Sequence, residues 1–122
     1  MVVWRGEYHG RLPRINRRHG ARVIGGKGRV YVTPEYRKSV SDMARAFTGS
    51  IDETIDRAVD AYIKVSLWSR IDSDAPIKGI LDALEQAQIV TNDKLVRDIH
   101  ISREYHPRDD EDWVEITLGE AP

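Results

Sequence analysis

The sequence predicts one α/β (α+β) domain, in which two main helices pack on a small mixed β-sheet. The length of 122 residues is near the commonest size of a single domain. Apolar residues make up 40% of the chain, enough for one core, while 32% of the residues are charged and only Phe47 is a Phe. The apolar spacing also changes along the chain between a strand period and a helix period. The resulting order is β, loop, α, β, α, β, β.

The N-terminal part begins with a predicted strand over residues 2–8. Residues 9–29 follow with five glycines, six arginines, one lysine and no acid. A stretch of this composition buries little apolar surface, so it predicts a mobile loop or a loose hairpin. Residues 30–32 are consistent with a short strand.

The first helix is predicted over residues 33–47. Thr33 is the candidate N-cap, Pro34 suits the first turn, and Gly49 follows as a stop signal. Its apolar stripe consists of Tyr36, Val40, Met43, Ala44 and Phe47. Residues 50–60 fit either a short helix or a loop.

The second half supplies the rest of the sheet and the clearest helix. Strands are predicted over 61–68, 94–104 and 113–118, with a turn at 105–112. The inward residues of these strands include Ile63, Val65, Leu67, Ile99 and Ile101. The helix is predicted over 75–87, where Ile77, Ile80, Leu81 and Leu84 follow the i, i+3, i+4, i+7 pattern.

Composition restricts the location of the protein. The chain has no cysteine, which excludes disulfides and thiolate metal sites. The N-terminus lacks an apolar signal segment, and no stretch reaches the ~20 apolar residues of a membrane span. We therefore expect a cytoplasmic protein without a membrane partner.

The net charge of −1 conceals an asymmetry. Residues 1–38 hold ten Lys and Arg against two acids, whereas residues 39–122 hold nine against eighteen. A basic arm on an acidic body suits phosphate binding by the arm and cation binding by the acids. A basic loop that only faces water explains the same numbers.

Two aspartates lie where the strand ending at residue 68 passes into the next helix. Asp72 and Asp74 are two residues apart, so on extended backbone they project to one side. Two close carboxylates repel unless a proton or a cation lies between them. Asp74 also stands where an N-cap belongs, before Ala75 and Pro76. Capping accounts for Asp74 but not for Asp72.

Two further charged residues are expected near these aspartates. Lys78 follows Asp74 by four residues, on one helical face. A surface ladder from Lys78 to Asp82 and Glu85 is the structural alternative, worth ~0.3–0.5 kcal/mol per pair. Asp93 lies in a turn after the helix. If the helix packs back on the sheet, residue 94 adjoins the strand end at residue 68, and Asp93 approaches the other acids.

Three converging carboxylates suit a hard cation such as Mg²⁺. The histidines offer no competing metal site, because no two of them have helical i, i+4 spacing. We expect each to be a polar surface residue or to face DNA: His9, His19, His100 and His106.

The segments "RIDSDAPIKGILDAL" (70–84) and "QIVTNDKLVRDI" (88–99) resemble the RusA-like Holliday junction endonucleases, the crossover junction endodeoxyribonucleases. The family pattern is Asp-x-Asp-Asn, a lysine four residues past the second Asp, an Asp-Ala-Leu helix and an Asp in the following turn. It falls here on Asp72, Asp74, Lys78, Asp82-Ala83-Leu84 and Asp93. The chain departs from the pattern at Ala75, where the family usually has Asn.

The resemblance implies a homodimer that binds four-way DNA junctions and makes paired symmetric nicks with Mg²⁺ or Mn²⁺. The products carry 5′-phosphate and 3′-hydroxyl ends. The implied metal ligands are Asp72, Asp74 and Asp93, and Lys78 completes the catalytic set by stabilising charge at phosphorus. The family occurs in phages, prophages and bacteria.

The basic stretch then becomes a candidate for contact with the DNA backbone. The predicted DNA-binding residues are Arg11, Arg14, Asn16, Arg17, Arg18, Arg22, Lys27 and Arg29. No aromatic residues suited to base stacking stand out, which favours recognition of DNA shape. Three alternatives stay open: a flap or branched-DNA nuclease of the same chemistry, a junction-binding protein whose site has decayed at Ala75, and an interaction module without DNA.

Overall fold

A computed structural model describes residues 1–14, 19–24, 27–68, 71 and 74–122. Along the chain the elements are β1 Val2–His9, β2 His19–Ile24, β3 Lys27–Val32, α1 Pro34–Phe47, β4 Val59–Trp68, α2 Ile77–Gln86, β5 Val96–His106 and β6 Trp113–Glu120. A 3₁₀ turn over Asp93–Leu95 leads into β5.

The main sheet is mixed and has the strand order β1-β6-β4-β5. β6 pairs antiparallel with both β1 and β4, whereas β4 pairs parallel with β5. The parallel pair requires a crossover, and α2 provides it. The predicted fold class, a small mixed sheet with two helices, is confirmed.

The core lies between the helices and one face of the sheet. Alternate residues of β4 are buried on that face, namely Val59, Ala61, Ile63, Val65 and Leu67. The opposite face carries Tyr62 and Lys64 of β4 and Glu115 of β6, which are exposed or half-buried. The domain therefore has two layers, with one open sheet face.

The sequence prediction of α1 is confirmed in detail. The Thr33 side chain accepts a hydrogen bond from the Tyr36 amide (3.3 Å), and Pro34 occupies the first turn. Gly49 takes a positive φ of 82° just past the helix, a conformation that favours glycine. All five residues of the predicted stripe are buried. Phe47, at the end of this stripe, meets Trp4 of β1 edge to face at 5.1 Å.

Two stretches left open by the sequence are now assigned. Much of the predicted mobile loop over 9–29 is paired strand, because β2 and β3 form a separate antiparallel sheet. The hairpin alternative thus describes this stretch. Residues 50–58 form no helix, and Ile55 makes an isolated bridge to Val90.

β5 is an edge strand, and this limits how much of it is buried. Ile99 packs against the core, as predicted. Ile101 lies on the same inward face, as predicted, but it is 41% exposed and is not part of the buried core. The strand has a neighbour on one side only, and its side chains stay accessible.

Gly79 allows α2 to pack closely against the segment that follows β1. A Cβ built on Gly79 would lie 2.2 Å from Cγ of Pro13. Gly→Ala inside a helix normally stabilises by ~0.5–1 kcal/mol, but overpacking costs ~1–3 kcal/mol. We expect Gly79→Ala to lower the free energy of unfolding by about 1 kcal/mol, measured by urea denaturation.

Pro13→Gly removes the atoms that the new methyl group would meet. The double variant is therefore expected to lose less stability than the two single variants together. Additive losses would show that close packing against Pro13 does not explain the effect.

In the part of the chain that the structure describes, no helix is both long enough and apolar enough to cross a bilayer.

Candidate functional site

The Lys78 ammonium lies between two carboxylates from different elements. Its Nζ is 2.9 Å from Oδ1 of Asp82, one turn further along α2, and 3.0 Å from Oδ2 of Asp93. About a third of the Lys78 side chain is exposed, and about a quarter of each aspartate. Lys78 and Asp93, two residues of the predicted catalytic set, are thus in direct contact although 15 positions separate them.

Two further contacts hold this group in place. The hydroxyl of Tyr36, on α1, donates a hydrogen bond of 2.5 Å to Oδ2 of Asp82. The Asp93 amide donates to Oε1 of Glu85 at 3.2 Å. Asp82 is therefore fixed from α1, and Asp93 is fixed from the last turns of α2.

The electrostatics keep Lys78 charged. Its hydrogen bonds, first to Asp82 and then to Asp93, raise the pKa of the ammonium above its ordinary value, although burial acts in the opposite sense. A lysine in this state is a fixed positive charge beside two acids.

Asp74 does not cap α2, so this prediction is wrong. The N-cap position is Pro76, which has no capping side chain, and residues 74–76 form a turn before the helix. Only the backbone oxygen of Asp74 participates, accepting from the Ile77 amide at 3.1 Å. The Asp74 side chain is exposed. Capping therefore no longer explains this acid.

The route predicted for Asp93 is also wrong. The parallel register pairs Trp68 with His106 and Val59 with Val96, so residue 94 lies toward the opposite end of β4 from Trp68. Asp93 instead contacts α2, where its side chain accepts a hydrogen bond from the Lys78 ammonium. The error arose because a parallel crossover returns the chain to the start of the neighbouring strand.

The expected Mg²⁺ ligands are all carboxylates, but the structure does not describe every one of them. Among the residues placed by the structure, no group of three His, Asp or Glu side chains is positioned to hold a metal ion. Asp72 lies outside the described residues. Asp93 already holds a positive charge, the Lys78 ammonium, and carboxylate oxygens are the ligands that Mg²⁺ prefers. The Mg²⁺ site therefore stays a prediction.

The predicted DNA-binding residues fall into three groups. Arg22, Lys27 and Arg29 belong to the β2–β3 hairpin. Arg11 and Arg14 precede it and line a cleft of about 480 Å³ at the end of the main sheet. The remaining predictions, Asn16, Arg17 and Arg18, lie outside the described residues.

Asp112 anchors the chain that leads into the hairpin. Its Oδ2 accepts from the Leu12 amide at 3.3 Å and lies 3.7 Å from the Arg14 guanidinium. Its backbone oxygen accepts from the Gly10 amide at 2.9 Å. Residues 10–14 are thereby tied to the β5–β6 connection.

His106 is largely buried, so the first of its two predicted positions, the exposed surface, is wrong. Its side chain is only 9% exposed, and Nε2 lies 2.7 Å from Oδ1 of Asp112. Nδ1 lies 2.6 Å from the Pro107 carbonyl oxygen. Since both ring nitrogens face acceptors, the arrangement suits the imidazolium, which donates from both.

The charge of His106 predicts a pH-dependent stability. Burial lowers the pKa of the imidazole, but hydrogen bonds to Pro107 and Asp112 outweigh it, so the pKa lies above the ordinary value of 6.5. A raised pKa in the folded state gives stability that is complete below pH 6.5 and is lost as the pH rises through the folded pKa. Urea unfolding from pH 5.5 to 8.5 measures this loss.

The matched variants are His106→Gln and His100→Gln. His100 is exposed and stacks on Tyr62 at 4.7 Å. We expect His106→Gln to remove the loss of stability above pH 6.5 and His100→Gln to retain it. An unchanged pH profile in His106→Gln would contradict the assignment.

Sequence reasoning did not identify Asp82 and Tyr36 as parts of the site. Asp82 entered only as part of the family's Asp-Ala-Leu motif and of the alternative surface ladder with Lys78. Tyr36 was predicted only as part of the apolar stripe of α1. Its hydroxyl could have indicated a polar neighbour, because a buried tyrosine hydroxyl usually has a hydrogen-bond partner.

Comparison with models of known protein families gives no match, and no curated protein matches the chain. The resemblance to RusA-like endonucleases stays a prediction that rests on residues 70–99.

Proposed function

We propose that this protein is a metal-dependent endodeoxyribonuclease that resolves Holliday junctions in the cytoplasm. The contact between Lys78 and Asp93 carries the proposal most directly. A structural surface ladder needs only the i, i+4 pair of Lys78 and Asp82. The additional acid from a separate element makes a mixed-charge group of the kind that phosphoryl chemistry uses.

In this proposal the residues have distinct roles. Asp72, Asp74 and Asp93 would hold Mg²⁺, or Mn²⁺ in its place. When bound, the ion supplies a nucleophilic water and neutralises the leaving 3′-oxygen. Lys78 donates toward the phosphate oxygens that gain charge in the transition state. Asp82, fixed by Tyr36, positions the Lys78 ammonium.

The DNA backbone lies along the basic segment at residues 11–29. Arg22, Lys27 and Arg29 belong to the β2–β3 hairpin, which forms a sheet of its own. Contacts of this kind give binding that weakens steeply with salt and carries no base specificity by itself.

The proposed enzyme acts as a homodimer. A four-way junction requires two matched cuts, and a closed two-fold dimer supplies two equivalent sites. We expect twice the 14.0 kDa chain mass in solution at micromolar concentration, measured by light scattering. The mass of a single chain at that concentration, both for the free protein and for the protein bound to DNA, would contradict this assembly.

The experiment that tests the function is incubation with a synthetic mobile four-way junction, with and without Mg²⁺. We expect paired symmetric nicks that ligase can seal, and none without the metal. A flap DNA and a three-way junction are incubated in parallel as comparison substrates. Equal cutting of these would favour the broader branched-DNA nuclease, and junction binding without cutting would favour a decayed site.

A further inference from the structure

Arginine and aromatic side chains meet at the carboxyl ends of β4 and β5. The guanidinium carbon of Arg103 lies 4.4 Å from the centre of the Tyr105 ring. The same guanidinium donates to the backbone oxygen of Trp68 at 2.9 Å. Arg108 lies over the Trp68 ring at 5.4 Å. By the strand register, Arg103 and Tyr105 lie on the sheet face of Leu67, whereas Trp68 lies on the other face, so the four residues flank the strand ends from both sides. We call them the arginine–aromatic cluster.

The cluster occupies a position where ligands commonly bind. Leu67 pairs with Tyr105 in the parallel register, so the cluster surrounds the last residues of both strands. Open sheets bind ligands outside the carboxyl ends of parallel strands. The chain then leaves Trp68 and reaches Asp74 after only five intervening residues.

Tyr105 is the accessible member. It is 67% exposed, the most exposed of the large aromatic residues that the structure places. Core packing does not explain a ring so far in solvent. The guanidinium against it keeps the ring in place and adds positive charge beside it. The sequence did not indicate this cluster, because its members come from β4, β5 and the following turn.

We propose that the arginine–aromatic cluster binds an unstacked nucleobase at the branch point of the DNA, with Tyr105 as the stacking surface. The inference rests on the proposed function. It adds a contact with a DNA base to the phosphate contacts and the metal site of that function. Bases at a branch point lose stacking neighbours, and every base has a π-face that an aromatic ring accepts. Arg103 and Arg108 supply charge for the adjacent phosphates.

The sheet face opposite to Tyr105 offers a matched control. Tyr62 is also an exposed tyrosine, at 49%, on the neighbouring strand β4. Its ring is stacked on His100 with an interplanar angle of 7°. No arginine is placed on it by the described contacts, and its side chain points away from the helix layer.

The test is a binding cycle in EDTA between protein variants and two junctions, one intact and one abasic at the branch. Base–aromatic stacking predicts that Tyr105→Ala weakens binding of the intact junction by roughly 5- to 100-fold. On the abasic junction the same substitution is expected to have little effect. Tyr105→Phe retains the ring and is expected to bind like the parent, as is Tyr62→Ala.

The possible failures are distinguishable. Equal effects of Tyr105→Ala on both junctions, or none on either, would overturn base stacking while junction cutting by the parent stands. If the parent chain binds neither junction, both the cluster assignment and the proposed function fail. A 5-iododeoxyuridine at the branch provides a second readout, since a stacked base should form a photo-crosslink to Tyr105.

Discussion

Asp74→Asn and Asp93→Asn are each expected to reduce junction nicking by more than about 100-fold, because partners outside the direct ligand shell already cost 10–100-fold. Asn keeps the size of the side chain and removes the charge that a divalent cation needs. Asp74 is exposed and caps no helix, so its substitution leaves folding intact. Time courses of nicking on a labelled four-way junction measure the loss.

Junction binding is expected to persist in both variants, because in the proposed function the acids hold the metal while the basic segment contacts the DNA backbone. Asp52→Asn is the matched control, an exposed aspartate in the loop before β4. It should nick at the parental rate. Full nicking by both Asp74→Asn and Asp93→Asn would remove these acids from the site.

Lys78→Ala is expected to slow nicking by about 10²–10³-fold, the range found when a donor to a developing negative charge is removed. The reduction should appear in the single-turnover rate with little change in junction affinity, since the group acts mainly in the transition state. Single-turnover nicking with saturating protein separates these two effects.

Lys38→Ala supplies an unusually close control. Lys38 also pairs with an aspartate four residues on, Asp42, at 2.8 Å on an exposed helix face. Exposed pairs of this type contribute ~0–1 kcal/mol to stability. Parental nicking in Lys38→Ala and slow nicking in Lys78→Ala would separate chemistry from helix stabilisation. Equally small effects would support the surface-ladder interpretation of Lys78.

The elements of the fold were largely predictable because local signals agreed with tertiary packing. Thr33, Pro34 and Gly49 marked both ends of α1, and the alternation of Ile63, Val65 and Leu67 marked the buried face of β4. The start of α2 was less predictable. Asp74 carries a strong capping preference, but the turn over residues 74–76 delays the helix, and local preference cannot anticipate it.

The contacts between the candidate site residues were not predictable from the sequence. Asp93 was expected to approach Asp72 and Asp74 near the end of β4 at Trp68, whereas the register places residue 94 toward the other end and Asp93 contacts Lys78. Strand register depends on pairing between distant segments, and a single sequence does not reveal it. His106 was misjudged for the same reason, because its partner Asp112 becomes a neighbour only after the β5–β6 turn closes.

The anchoring of residues 10–14 by Asp112 has a consequence for how this chain tolerates change. One side of the hairpin is secured by that carboxylate, and the other by the Thr33 cap and the Tyr36 hydroxyl. The two flanking points are thus held by contacts of their own, so we expect the fold of the main sheet and helices to tolerate substitutions in the sequence between them. Variants could acquire a different substrate preference by replacing this sequence, while the acids and Lys78 remain as they are.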